Sequence, residues 1–234
     1  MSARENLYAA LAGMSAEPSA SDMEKGAALQ SLQHRLRALE FGKRGADVDL
    51  FLFRAAEAGT KVHRCSSLQE AASLLSTHIG TGKHCILASD PLIDRMELSR
   101  ILAGNQCHSI RVTDADLGVH NADARHGYAA ADFGITVAQA GLADSGAILI
   151  SSSQNESRSV SLLPVEHVAL LPADRIVPSL LQAAPMLRAM AGDGGTSAAT
   201  LVGGPSKTAD IEKVLVTGVH GPAVLTIIVI ENTV

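Results

Sequence analysis

Residues 60–89 read TKVHRCSSLQEAASLLSTHIGTGKHCILAS, and this stretch decides the fold class. TKVHR and HCILAS are short apolar-containing runs with strand character. Between them SLQEAASLLSTHI repeats its apolar residues at spacings of three and four, the period of a helix with one buried face. A strand, a helix and a second strand in thirty residues make a βαβ unit, which predicts a parallel sheet. The rhythm continues on both sides. DVDLFLFRAAEAG before it is helical, MELSRILAG after it is helical, and HSIRV is a further strand. The first half is therefore read as Rossmann-like. No G-x-G-x-x-G follows a strand here, because Gly80 and Gly82 precede HCILAS and neither opens a helix, so a nicotinamide cofactor is not supported.

The second half changes character. FGITVAQAGLADSGAILIS places apolar runs on either side of an Asp144-Ser145-Gly146 turn, as a β-hairpin does, so mixed strand directions are expected. EHVALLP adds a strand, IVPSLLQAAPMLRAM a helix despite Pro178 and Pro185, and MAGDGGTSAA a flexible connection. N-terminal to the α/β rhythm, Leu29, Leu32, Leu36 and Leu39 recur at helical spacing and Gly42 and Gly45 close the pattern. The chain thus divides into a helical arm, residues 1–45, and an α/β domain, residues 46–234. The arm packs either on a neighbouring subunit, making a homo-oligomer, or on its own domain.

The 234 residues carry 19 basic and 24 acidic side chains, a formal charge of -5, which is the wrong sign for non-specific binding to a phosphate backbone. Aromatics are 3% of the chain with no Trp, so base-stacking platforms are scarce as well. Cys65, Cys85 and Cys107 are about twenty residues apart, without the close pairing that zinc or an iron–sulfur cluster requires from one chain. They read as reduced thiols. His120 and His126 are six apart, and no histidine pair at ligand spacing supports a metal. Arg4 and Glu5 interrupt the first apolar run and no stretch reaches the ~18 apolar residues of a membrane span, so cytoplasm is the expected compartment.

The closing stretch, ATLVGGPSKTADIEKVLVTGVHGPAVLTIIVIENTV, carries the candidate chemistry. ATLVG reads as a strand and Gly203-Gly204-Pro205 as a turn. Ser206 is a good N-cap for a short helix whose inward face is Ile211, Val214 and Leu215, ended at Gly218. A helix starting directly after a strand aims free N–H groups at an anion, with Ser206, Lys207 and Thr208 adding hydroxyls and a cation. The plainer alternative is that Ser206 only caps, Lys207 is solvated, and Asp210 and Glu212 complement the dipole. His220, beside Gly221, lies on the next loop as an acid, base or hydrogen-bond partner, or is incidental. Asp144 either aims a carboxylate into the cleft or satisfies turn N–H groups. Arg158 either binds an anion bidentately or is an ordinary exposed arginine. Glu166 and His167 open the EHVALLP strand, facing the same crevice or forming a solvated strand edge.

Taken together, GIT at 134–136, the ADSG turn, R-x-x-S-L-L-P at 158–164, GPSKTADIE and GVHGP resemble the lactate-utilisation (LUD) domain family of LutC/YkgG-like proteins, over roughly residues 47–231. The resemblance implies a mixed α/β sheet similar to the sugar-phosphate isomerase and CoA-transferase superfamily. It implies a subunit of an L-lactate oxidation system working with separate iron–sulfur proteins, with no cofactor bound by this chain alone. The family's hairpin reads Ala-Glu-Thr-Gly-Thr where this chain has Ala143-Asp144-Ser145-Gly146-Ala147, one methylene shorter at the carboxylate. The resemblance makes Asp144, Glu212 and His220 the candidate catalytic residues. Gly204, Pro205, Ser206, Lys207, Thr208, Asp210, Arg158 and Gly221 are the candidate ligand-binding set, for a small anionic metabolite. Two other functions stay open: a free-standing enzyme on a sugar phosphate or CoA thioester, and a non-catalytic assembly or sensing subunit.

Overall fold

The computed structural model describes residues 44–111, 130–153, 157–192, 195–209, 215–217 and 221–233. The helical arm of residues 1–45 lies outside them except for its last two residues, as do His120 and His126. The βαβ reading holds through the first half. Helix α1 (Arg44–Glu57) leads into β1 (Lys61–Ser67), then α2 (Leu68–Ile79), β2 (His84–Leu87), α3 (Pro91–Arg95), α4 (Leu98–Gly104) and β3 (His108–Arg111). Helix α2 starts where its residues require. The Ser67 hydroxyl accepts from Glu70 N at 3.2 Å, and Glu70 Oε2 reaches back to accept from Ser66 N at 2.7 Å. Ser67→Ala is expected to cost about 1 kcal/mol in urea unfolding; an unchanged midpoint would show that the Glu70 contact suffices alone.

The second half supplies β4 (Phe133–Val137), β5 (Ala140–Leu142), β6 (Ala147–Ser153), α5 (Ser159–Leu162), β7 (Glu166–Pro172), β8 (Ile176–Val177), α6 (Leu180–Gly192), β9 (Thr196–Val202), β10 (Lys207–Ala209), β11 (Leu215–Thr217) and β12 (Val224–Asn232). Six strands form one sheet in the order β1-β12-β7-β4-β2-β3, with every pairing parallel. All seven residues of β7 are buried, as expected of a central strand covered on both faces. The mixed directions expected from the hairpin belong to a second sheet, β8-β5-β6-β9, where β5 and β6 are antiparallel around the ADSG turn. FGITV is not an arm of that hairpin; it is β4 of the parallel sheet, and the chain enters the second sheet only at Ala140.

Side chains of β7 and β12 alternate between two cores, the period-two rule of a strand. Val168, Leu170, Ile228 and Ile230 join the apolar faces of α2, α3 and α4, whereas Ala169, Leu171, Leu225, Ile227 and Val229 join α1 and the Ile148 and Ile150 side chains of β6. Three further differences from the sequence reading matter. Part of MAGDGGTSAA is ordered as strand, because β6 offers its edge to Thr196 and Ala198–Val202. IVPSLL splits, with Ile176–Val177 pairing β5 and the helix beginning at Leu180 with Pro185 inside it.

The third difference is a correction at the candidate site. The segment after Ser206 is not a helix: Lys207–Ala209 and Leu215–Thr217 pair antiparallel as a two-stranded hairpin. Thr208, Val216 and Thr217 are β-branched, and a run this short satisfies either period, so the available strand partner decides. The inward helical face assigned to Ile211, Val214 and Leu215 therefore does not form at Leu215, and no helix terminus faces the cleft at Ser206.

Candidate functional site

The site is built where the second sheet lies over the N-terminal ends of β7 and β12. The Gly-Pro-Ser loop leaves β9, the loop before β12 passes beside it, and Ser206 N donates to Pro222 O at 3.0 Å. Ser206 and Gly221 are close neighbours, since a Cβ on Gly221 would lie 3.4 Å from Ser206 Cβ. Gly204 adopts φ +142°, a conformation open to glycine, with its backbone against Ala58 O. These two loops, α5 and the β9 strand line a cavity of about 260 Å³, open to solvent, whose lining includes Ser161, Leu162, His167, Leu201, Ser206 and Leu225.

A small polar recess of about 10 Å³ adjoins it, lined by Thr136, Ser152, Ser157, Arg158, Ser161 and Thr200 among others. Ser161 and Thr200 are common to both spaces. The floor between them is a hydrogen bond of 2.8 Å between Thr136 Oγ1 and His167 Nε2. Both side chains are buried, His167 to 1% exposure. Burial lowers the imidazole pKa to about 4, so at neutral pH it is uncharged, with one ring nitrogen donating and the other accepting. Arg158 is exposed at the mouth of the recess, and the Ser157 and Ser159 hydroxyls lie 2.5 Å apart beside it.

Several candidate residues stand elsewhere. Lys207 Nζ donates to Ala58 O at 2.8 Å, capping the end of α1 rather than facing the cavity. Asp144 is exposed on the hairpin turn, its backbone N donating to Pro178 O at 3.0 Å, and it lines neither space. That turn is pressed onto α1, where a Cβ on Gly146 would lie 2.2 Å from Ala55 N. Gly204, Pro205, Ser206 and Gly221 do line the cavity and Arg158 the recess, whereas the Thr208 side chain, Asp210, Glu212 and His220 lie outside the described residues. With the helix gone and Lys207 engaged, the anion reading of this loop loses its dipole and its cation. What remains for an anion is Arg158 and the hydroxyls of the recess.

Glu166 and His167 do not share a crevice, and neither forms a solvated edge. Adjacent strand residues point to opposite faces. Glu166 turns to the α2 side, where its Oε1 accepts from Thr226 Oγ1 at 2.5 Å and pairs with His78 Nε2 at 2.7 Å. His167 alone reaches the cavity. Thr136, Ser161 and Thr200 are the further groups that motif reasoning passed over. The available signal was a histidine in an otherwise apolar central strand and a threonine in GITV.

A wider depression of about 450 Å³ lies between α2 and the α3–α4 pair. Its polar lining, including Gln69, Ser73, Arg95 and Arg100, is exposed, and Arg100 is paired with Glu97. The smaller cavity, with a buried imidazole and the motif loops on its walls, is the better candidate.

Comparison with known proteins agrees with the motifs. The family described as the LUD domain matches residues 48–230. Relatives named lactate utilization protein C include that of Halalkalibacterium halodurans, 35% identical over 154 residues covering 65% of this chain and 64% of the relative. That of Bacillus subtilis is 34% identical over 157 residues, covering 65% and 64%. That of Bacillus licheniformis is 42% identical over 104 residues, covering 44% and 43%. The matched regions span less than two thirds of these relatives' lengths. A crystal structure of a DUF162 family protein from Deinococcus radiodurans shares the fold at a TM-score of 0.58 and 19% identity, over 81% of this chain and 99% of that one.

Proposed function

The chain belongs to the LUD domain family, and from that premise we propose that it serves lactate utilisation as a subunit of an L-lactate oxidation system, binding a small carboxylate in the cavity between the Gly-Pro-Ser and His-Gly-Pro loops. The observation that carries this reading is the meeting of those two loops over the His167–Thr136 pair, with Arg158 at the adjoining recess. Lactate presents a carboxylate and a hydroxyl on neighbouring carbons. An arginine with serine hydroxyls suits the first, and a neutral imidazole suits the second.

Separate iron–sulfur proteins would carry the electrons in this scheme. The wide spacing of Cys65, Cys85 and Cys107 along the chain motivates that division. Cys65, Cys85 and Cys107 are buried in the core, and burial first, then the neighbouring Cys107 and Asp132, pushes the Cys85 thiol up to about 12. Among the described residues no group of three His, Cys, Asp or Glu side chains is placed to hold a metal ion. No helix among the described residues is long and apolar enough to cross a membrane.

Reconstitution tests the reading. The purified chain with L-lactate and an artificial electron acceptor is expected to show negligible oxidation, and addition of the iron–sulfur proteins of the same system is expected to restore it. Arg158→Gln should weaken lactate binding about tenfold, the loss of a charge-assisted hydrogen bond. Rapid lactate oxidation by the isolated chain would overturn the division of labour.

A further inference from the structure

The cavity is larger and more apolar than a three-carbon acid requires. At about 260 Å³ it has room for more than a dozen waters at the roughly 10–15 Å³ that each requires, well beyond the bulk of a three-carbon acid. Its histidine and the hydroxyls of Ser161 and Thr200 stand where the Thr136–His167 hydrogen bond adjoins the recess, while Ser206 stands on the loop beside Pro222. That recess admits a single water-sized group, the size of one carboxylate oxygen. Apart from Ser206 and three glycines, the remaining wall is hydrocarbon: Leu162, Leu201, Val202, Pro205, Pro222 and Leu225. Leu162 and Leu201 are 48% and 45% exposed at the rim, apolar surface that the fold itself leaves uncovered. Among the described residues, neither space is lined by a carboxylate.

We propose that this cavity takes 2-hydroxy or 2-oxo monocarboxylates whose side chain is apolar and larger than a methyl group. The carboxylate lies at Arg158 and the serine-lined recess, the 2-oxygen on the His167 imidazole, and the side chain against Leu162, Leu201 and Leu225. The proposal rests on the lactate-utilisation reading and extends it to a wider set of acids. His167 is the residue that distinguishes a 2-oxygenated acid from its deoxy counterpart, and the hydrocarbon wall is what selects chain length.

Calorimetric titration of the full chain with L-lactate, 2-hydroxybutyrate, 2-hydroxyisocaproate and 3-phenyllactate tests it, with 4-methylpentanoate as control. Affinity is expected to rise about threefold to fourfold for each added methylene that reaches the wall. 4-Methylpentanoate is expected to bind about fivefold weaker than 2-hydroxyisocaproate, the loss of one hydrogen bond. Val202→Phe, which fills the apolar end, should reverse the order so that lactate outbinds the six-carbon acid. Lactate binding with no gain from longer chains would overturn the proposal and leave the lactate reading standing. Failure of every acid to bind, lactate included, would overturn both.

Discussion

Replacing Gly134 by alanine is expected to destabilise the domain by about 3–4 kcal/mol and to weaken ligand binding in whatever fraction stays folded. Gly134 sits in the middle of the parallel sheet, between Ile86 of β2 and His167 of β7. A Cβ there would lie 1.8 Å from the Val160 carbonyl oxygen and 2.6 Å from Pro164 Cγ. Backbone cannot yield as a side-chain tip can, so α5 and the Pro164 turn would have to lift by more than an ångström. Overpacking a core usually costs about 1–3 kcal/mol, and a backbone clash this short belongs at or beyond the top of that range. Domains of this kind have only about 5–15 kcal/mol in hand, so the loss is a large part of the total. The lifted segment carries Arg158, Ser161 and Leu162, the wall of the site, which couples the stability effect to binding. Urea unfolding followed by calorimetry on Gly134→Ala checks both. A change below about 1 kcal/mol would mean that α5 is not held against β4 as described.

The second large effect is a dependence on pH centred on His167. Its folded pKa is about 4, lowered by burial from an ordinary 6.5. The unfolded chain therefore binds a proton in a window where the folded chain does not, and stability falls as pH falls. Above pH 6.5 both states are neutral and nothing is lost. Between 6.5 and 4 the loss grows by about 1.36 kcal/mol per pH unit, to about 2 kcal/mol at pH 5 and about 3 kcal/mol at pH 4. His63 titrates in an overlapping range, its pKa lowered by burial first, then by His78 and Lys61, with Glu166 opposing. The comparison that isolates His167 is therefore wild type against His167→Gln, in urea titrations at pH 7.5, 6 and 5. The substituted protein should lose about 2 kcal/mol less on going from pH 7.5 to 5. Parallel losses would show that the imidazole is not held neutral in the folded state.

Much of the architecture is legible in the residues. Ser67, the apolar spacing of Leu68, Ala71, Ala72, Leu75 and Ile79, and the strand runs flanking them lead to α2, β1 and β2 with boundaries close to those observed. The ADSG turn is equally plain, although its first arm is Ala140–Leu142 and not FGITV. The site was legible in part. GPS and GVHGP are visible as loops, and Ser206 and Gly221 do come together. Lys207 was read toward the ligand yet bonds Ala58 O, because that carbonyl at the end of α1 lacks a helical partner and lies within reach only in three dimensions. Asp144 looked chemical because it is a carboxylate in a glycine-rich turn. The fold places that turn on α1 and leaves the carboxylate in solvent.

What the sequence determined alone is whatever depends on local period. Helices of a dozen residues and alternating strands are specified by side chains that are neighbours along the chain, so the parallel βα core needs no further information. The tertiary structure decided what depends on partners remote in sequence. Residues 207–209 and 215–217 fit a helix or a strand by their own pattern, and the pairing of β10 with β11 selects the strand. Glu166 and His167 are chemically similar candidates in the chain. Alternation across a buried central strand sends one to a hydrogen bond with His78 under α2 and the other, neutral, to the floor of the cavity.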